Sequence, residues 1–465
     1  MKVKELISRI NLPARASMAY LGASLIGKAI GVLTTPFFTR LISEEEYGAL
    51  TLYMTLLGGG SIICSAVSSG SALYRGFKVF ESEKESFAKS ALALSLAFSA
   101  LISLILLTLL PFTGLSRAFY LPLALQIICD GVIGVSMAEA RFNYKYLRVG
   151  AVSIVSSALP AGLSLLFLRK FGCGCGVRIY SLLFVSLALA FFVVARLLLR
   201  GGRAEGKMIK HLLKSSLPLL PHSLSVALSG QADKLFITSL MGAGALAKYS
   251  VVHSLGIALQ FAVTALGSAF GPWMIRRLDG GEKEKIGSAV SKIFLLFLAV
   301  SLGLCGIAPE AMRLLAPDKY SEALPALIPI ALSTPLTFLS YVVTVGLIHS
   351  ERGKATAAVS LINLIFCVTL NYILIPKLGY LGAGLALLLS QIAAVGVGVA
   401  FLSRAGNKEM ITLGKSARYF LLALLVGTLI FFLYERADAR LLLMTIPLFL
   451  GIKGAFGCVG LIKEK

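Results

Sequence analysis

The chain has 465 residues, of which 57% are hydrophobic and only 14% charged, with a mean hydropathy of +0.87. A soluble domain carries about 25% charged residues, so this chain has too few polar side chains to coat two or three soluble domains. The formal charge of +22, from 44 Lys and Arg against 22 Asp and Glu, would suggest nucleic acid in a soluble protein. A multipass membrane protein instead gathers such residues in its cytoplasmic loops, and no nucleic-acid partner is expected.

The apolar residues fall into runs of about 18 or more residues separated by short basic loops, the pattern of membrane-spanning helices. A soluble enzyme, a coiled coil and a disordered chain are thereby excluded. In chain order the runs predict spans at 18–39, 49–73, 90–110, 118–138, 150–168, 179–199, 216–240, 245–270, 288–308, 324–347, 355–375, 380–402, 418–434 and 441–462. Most are near the 20 or so residues needed to cross about 30 Å of hydrocarbon. The seventh is the least regular, because it contains Pro218, Pro221, His222, Asp233 and Lys234. The fold class expected is an all-α polytopic membrane protein of about 14 transmembrane helices.

Orientation follows from the distribution of Lys and Arg among alternate loops. The N-terminal tail, the junctions after even-numbered spans and the C-terminal tail together hold 30 of the 44; the opposite side holds 12, with Lys28 and Lys453 inside spans. Both termini are therefore expected in the cytoplasm, as an even number of spans requires, and the protein in the cell membrane. No cleavable signal peptide is expected, since Met1 to Arg15 is polar and basic. The longest polar stretch, Arg200 to Ser215, divides the chain nearly in half, and no loop is long enough to fold as an extramembrane domain.

An internal repeat is present. Phe37, Thr39 and Leu41 recur as Phe236, Thr238 and Leu240, an offset of 199, and the basic junction at Arg75 recurs at Arg276, an offset of 201. Val152-Ser153, Leu163, Lys170 and Gly172 recur as Val359-Ser360, Leu370, Lys377 and Gly379, an offset of 207. Six spans return the chain to its starting side, so the halves should be parallel repeats about an axis along the membrane normal. The expected organisation is a six-helix lobe at 1–200, a cytoplasmic linker at 201–215, a second six-helix lobe at 216–403 and two further helices at 404–465. Transporters built this way hold substrate between their halves and alternate its exposure.

Three stretches carry a family resemblance. The first is Gly27-Lys28-Ala29-Ile30-Gly31 followed by Thr35-Pro36-Phe37-Phe38-Thr39-Arg40-Leu41-Ile42-Ser43-Glu44-Glu45-Glu46-Tyr47-Gly48. The second half opens similarly, with Asp233-Lys234-Leu235-Phe236 and then Gly242 to Ser250, and Ile375-Pro376-Lys377-Leu378-Gly379-Tyr380 matches a turn between spans 11 and 12. Over essentially its whole length the chain resembles the polysaccharide-biosynthesis, or O-antigen (Wzx-type), flippases of the multidrug/oligosaccharidyl-lipid/polysaccharide exporter superfamily. The resemblance implies a MATE-like fold and a polyprenyl-pyrophosphate-linked oligosaccharide as cargo. It also implies partners among membrane lipids, a glycan polymerase and assembly proteins. Ser43 stands where relatives often have Gly, and relatives frequently carry Arg at the position of Lys28.

An ionisable side chain at mid-bilayer costs several kcal/mol and usually faces a cavity or a partner. Lys28, Arg40 and Lys234 are the candidate cavity cations, which would attract a lipid-linked pyrophosphate and offset its desolvation. The plainer alternatives are that Lys28 snorkels or pairs with Asp130, that Asp233 pairs with Lys234, and that Arg40 is an ordinary helix-end arginine. Asp130 and Asp233 are candidates for binding a coupling H⁺ or Na⁺; no other cofactor is expected. His222 and His253 could titrate, although a single His in a span is usually satisfied by a neighbour. Glu44, Glu45 and Glu46 read as a solvated turn.

Other chemistry is not supported. Gly346 to Lys354 lacks the spacing and the Ser/Thr of a phosphate loop, so no ATP site is expected. Cys64, Cys129, Cys305, Cys367 and Cys458 lie in apolar runs as small hydrophobes, and Cys173 and Cys175 are too close for an ordinary disulfide. Four scattered His give neither a metal centre nor a catalytic triad, and an enzyme acting on lipid-linked sugars would need a sizeable acidic outer loop. The expected function is a non-enzymatic flippase moving a lipid-linked oligosaccharide from the cytoplasmic to the outer leaflet. A cation-coupled multidrug exporter and a lipid II flippase are the alternatives on the same fold.

Overall fold

The structure is a computed structural model, and it describes residues 12–172, 174–445, 447 and 451. The expected span at 441–462, and Lys453 with it, lies almost wholly outside the described residues. Every described regular element is a helix. The chain divides between Gln231 and Ala232 into two compact units, so the residues that follow the polar stretch at mid-chain, up to Gln231, group with the first unit.

In the first unit α1 spans Leu12–Leu41, α2 Glu44–Ser68, α3 Ser71–Val79, α4 Lys84–Leu109 and α5 Tyr120–Phe142. They are followed by α6 over Tyr146–Phe171, α7 over Gly174–Leu198, α8 over Gly206–Ser216 and α9 over Leu220–Ser229. In the second unit α10 spans Ala232–Met241, α11 Ala243–Asp279, α12 Lys283–Gly306 and α13 Ala308–Leu315. Then come α14 over Leu327–His349, α15 over Gly353–Arg404, α16 over Leu413–Phe432 and α17 over Ala437–Leu443.

Among the described residues ten segments are long and apolar enough to cross a membrane. They cover the expected spans 2 to 6, 8 to 10 and 13, and one of them, α15, contains both spans 11 and 12. The turn within α15 is real. Gly379 takes φ 55° and ψ −130°, a region open only to glycine, and a Cβ on Gly382 would collide with the Leu374 carbonyl oxygen. In an unbroken helix those two residues would be about 12 Å apart along the axis, so the chain reverses there and Gly382 lets the two arms touch. The seventh span departs from expectation: Pro218 lies in a 3₁₀ turn, Pro221 in the first turn of α9, and the chain breaks at Gly230 and Gln231 before α10. Proline is accommodated at a helix start and glycine is a weak helix former, so the apolar run does not form one rod. α1, at 30 residues, is long enough to cross.

α1 lies against α6. Gly27 makes the close approach, because a Cβ there would fall 2.8 Å from Ser157 Oγ, whereas Gly31 faces open space. The close approach of α1 to α6 is therefore made at Gly27 and not at Gly31. α2, α4 and α7 pack on α5, around a core that includes Phe77, Phe87, Cys129 and Val135. In the second unit α14 is the central helix, buried over most of its length and contacted by α11, α12 and α15. Phe270, Phe297 and Phe338 fill the space beside it. Leu104, Phe184, Phe191 and Phe192 are exposed, as suits side chains that meet lipid rather than water.

Candidate functional site

In the first unit the intramembrane polar groups sit on α1, α2, α5 and α7. Lys28 projects from the exposed side of α1, one residue after the glycine that packs on α6. Further along α1, Pro36 interrupts the hydrogen-bond ladder. Thr34 and Thr35 donate to the Gly31 carbonyl at 3.0 and 3.1 Å, and Thr39 donates to the Thr35 carbonyl at 3.0 Å. Arg40 donates to the Pro36 carbonyl at 3.0 Å in the exposed last turn. That is the geometry of a basic residue stabilising a helix C-terminus.

The turn that follows is a capping box. Ser43 Oγ accepts the Glu46 N–H at 3.2 Å, and Glu46 Oε2 accepts the Ser43 N–H at 3.2 Å. Glu46 is thus bound to the start of α2, while the glutamate run lies where the helix dipole favours negative charge. The Ser-x-x-Glu spacing of a capping box is present in the sequence, and the three glutamates form the first helical turn rather than a solvated turn alone.

Asp130 on α5 accepts the Ser61 hydroxyl of α2 at 2.7 Å. Four residues earlier, Gln126 Oε1 accepts the Tyr53 hydroxyl at 2.9 Å, and its Nε2 donates to Ser186 Oγ on α7 at 3.4 Å. Asp130 is therefore one rung of a polar ladder between α2 and α5. Glu139, at the end of α5, forms an ion pair with Arg200 at 2.5 Å.

The sequence reading placed Arg178 in a loop, and the structure corrects it. Arg178 lies on α7 and is 9% exposed, donating to Ser164 Oγ on α6 at 3.3 Å, with its guanidinium 5.4 Å from the Phe38 ring of α1. Its position just before an apolar run hid it, since span boundaries in sequence are uncertain by a turn. Arg440, also assigned to a loop, is 2% exposed and bonds Glu310 and the Tyr434 carbonyl.

In the second unit Asp233 and Lys234 are neighbours at the start of α10, and Asp233 also bonds across to α11. Asp233, 4% exposed in the first turn of α10, accepts the Tyr249 hydroxyl at 2.6 Å and lies 3.5 Å from His253 Nε2. Tyr249 and His253 are one turn apart on α11, so both reach one carboxylate. Lys234 is half-buried on α10. On α15, Asn371 Nδ2 donates to the Cys367 carbonyl at 2.8 Å and approaches Cys367 Sγ at 3.4 Å. Asp233 Oδ1 and Asn371 Oδ1 are buried acceptors without a hydrogen-bond donor among the described residues. Unfilled acceptor oxygens are what a proton or a small hard cation satisfies. No described cluster of three or more His, Cys, Asp or Glu is arranged to hold a metal ion.

The helical architecture and its intramembrane charges define a polytopic membrane protein of the MATE-like class. It superposes on the lipid II flippase MurJ in an inward closed conformation with a TM-score of 0.71 at 15% identity, covering 95% of this chain and 97% of that one. An inward-facing MATE-family multidrug resistance transporter of the MOP superfamily gives 0.58 at 16% identity, over 84% and 99%. The model of the family described as polysaccharide biosynthesis protein matches residues 14–278, and the MatE model matches 218–373. The chain belongs to the polysaccharide biosynthesis protein family. It is also 25% identical to the uncharacterized membrane protein EpsK of Bacillus subtilis (strain 168), over 76% of each chain.

Proposed function

We propose that the protein is a flippase that carries a polyprenyl-pyrophosphate-linked oligosaccharide from the cytoplasmic to the outer leaflet by alternating access. The observation that carries the proposal is the placement of basic side chains, Lys28 and the buried Arg178, within membrane helices of a chain of this family. A pyrophosphate is dianionic and cannot cross hydrocarbon alone; fixed cations in a low-dielectric setting replace part of its hydration. On this reading Lys28 and Arg178 are the candidate pyrophosphate-binding cations of the first unit, Lys234 is that of the second, and Arg40 serves the helix end. Asp233, with its unfilled oxygen, binds the coupling proton or Na⁺, and Asp130 is a second candidate.

The same proposal includes 14 spans with both termini in the cytoplasm, arranged as two parallel six-span repeats with two appended helices. The likeness to a lipid II flippase over nearly the whole chain supports a neighbouring reading, in which the cargo is a lipid-linked peptidoglycan precursor. Both readings share the pyrophosphate and differ in the glycan.

The test is transfer of labelled polyprenyl-pyrophosphate saccharides across proteoliposomes, with and without pH or Na⁺ gradients. Transfer that falls to background in Lys28→Ala, with the variant still inserted, supports the assignment. Export of a cationic dye without saccharide transfer would replace it with a multidrug exporter.

A further inference from the structure

A cleft of 490 Å³ opens in the second unit between α12 and the chain entering α16. It is lined by Glu284, Ser288, Ser291 and Lys292 on α12, and by Glu409, Thr412, Lys415 and Tyr419 on the other wall. Gly287 sets the closeness of the walls, since a Cβ there would collide with the Glu409 carbonyl oxygen. Ser291 Oγ and Thr412 Oγ1 meet at 2.7 Å across the cleft.

Both walls carry the same order of chemistry. Along α12 the lining side chains run Glu284, Ser288, Lys292 and then Leu295, on one face of the helix. Along the other wall they run Glu409, Thr412, Lys415 and then Tyr419. Beyond this point each helix is uncharged, from Ile293 to Gly306 and from Tyr419 to Phe432. The cleft therefore sits where two membrane helices enter the bilayer, with carboxylates at the water side, lysines deeper, and apolar groups deepest. Although two cations and two anions share it, none of the four is engaged in an ion pair among the described residues. Unpaired charges of both signs, held apart in a set order, match a ligand that carries both.

We propose that this cleft binds the headgroup of a bilayer aminophospholipid, with Lys292 and Lys415 on the phosphate and Glu284 and Glu409 on the primary ammonium. A phosphoethanolamine headgroup in a membrane has this polarity order: acyl chains deepest, phosphate next, ammonium nearest water. The lysine stems can lie along apolar surface while their amines reach the phosphate layer. An anionic lipid without an amine would leave the two carboxylates facing its phosphate, and a quaternary amine offers them no N–H to accept. The site is independent of the proposed cargo and of which side of the membrane it faces.

The test is native mass spectrometry of the full chain titrated with phosphatidylethanolamine, phosphatidylcholine and phosphatidylglycerol of identical acyl chains. Charge-assisted hydrogen bonds predict about tenfold or greater retention of phosphatidylethanolamine over the other two. Lys292→Gln with Lys415→Gln should remove that retention. Glu284→Gln with Glu409→Gln should erase the preference for the primary amine and raise phosphatidylglycerol binding. Equal retention of the three lipids by the unaltered chain would overturn the proposal without reference to any variant. So would an unchanged preference in both double variants that melt like the parent. Displacement of the lipid by soluble O-phosphoethanolamine at matching concentration would assign the cleft to a water-soluble phosphoamine instead.

Discussion

Tyr249 and Asp233, 16 residues apart in the chain, close a 2.6 Å hydrogen bond that fastens α10 to α11 inside the second unit. The bond satisfies one carboxylate oxygen and leaves the other without a donor. Tyr249→Phe would strip the carboxylate of its strongest described donor and cost about 1–3 kcal/mol of stability. The proposed coupling role adds a second expectation: Asp233→Asn should abolish gradient-dependent transfer while passive ligand binding persists. Transfer assays at matched protein density separate the two effects, and gradient-driven transfer at the parental rate by Asp233→Asn would remove Asp233 from coupling.

Arg178 gives a sharper contrast between structure and transport. Replacing a whole buried ion pair by apolar side chains of similar volume is often neutral, or stabilising by about 1–4 kcal/mol, because no charge is left unpaired, and the hydrogen-bond partner that Arg178 would leave behind is the neutral Ser164 hydroxyl. Arg178→Met should therefore melt no lower than the parent, and on the proposed function it should transfer pyrophosphate-linked cargo poorly. A variant that is stable and fully active would mark Arg178 as packing alone.

Ser43→Ala removes the hydroxyl that receives the Glu46 N–H and should cost about 1 kcal/mol. Glu46→Gln keeps the reciprocal bond to the Ser43 N–H and should cost less. Thermal unfolding in one detergent compares the pair directly.

Gly379→Ala places a Cβ on backbone at φ 55° and ψ −130°, and strain of this kind costs about 1–3 kcal/mol. Gly396→Ala, at a position on the same helix with open space beside it, is the control and should be tolerated. Loss of expression confined to Gly379→Ala supports the reversal at that residue.

Glu282 lies in the turn between α11 and α12, outside the membrane segments. A hydrogen bond from Arg277, helped by Lys285, holds its carboxyl below the usual carboxylate range. A carboxylate whose folded pKa is depressed contributes stability above its unfolded pKa and loses it as pH falls through the folded value. Being exposed, the pair contributes little. Glu282→Gln should slightly lower stability at neutral pH and converge with the parent in acid, as pH-dependent melting curves would show.

The membrane character, most span positions and the family were legible because they rest on long apolar runs and local turn motifs such as that around Gly379. The seventh span was not, because an apolar run interrupted at Gly230 and Gln231 reads as one segment in hydropathy and as two helices in backbone geometry. Asp233 was legible as an intramembrane acid, but its partner was not. Adjacency in sequence pointed to Lys234, whereas the hydroxyl that donates to Asp233 comes from Tyr249 on the next helix. Arg178 escaped because hydropathy assigns a charge beside an apolar run to the loop, while burial depends on which helices surround it.

The relay from Tyr53 through Gln126 to Ser186 constrains motion as well as packing. In hydrocarbon no water stands ready to replace those three groups' bonds if α2, α5 and α7 slide past one another. These helices should travel as one rigid block during any conformational cycle. A disulfide engineered between α2 and α5 should therefore leave the cycle running.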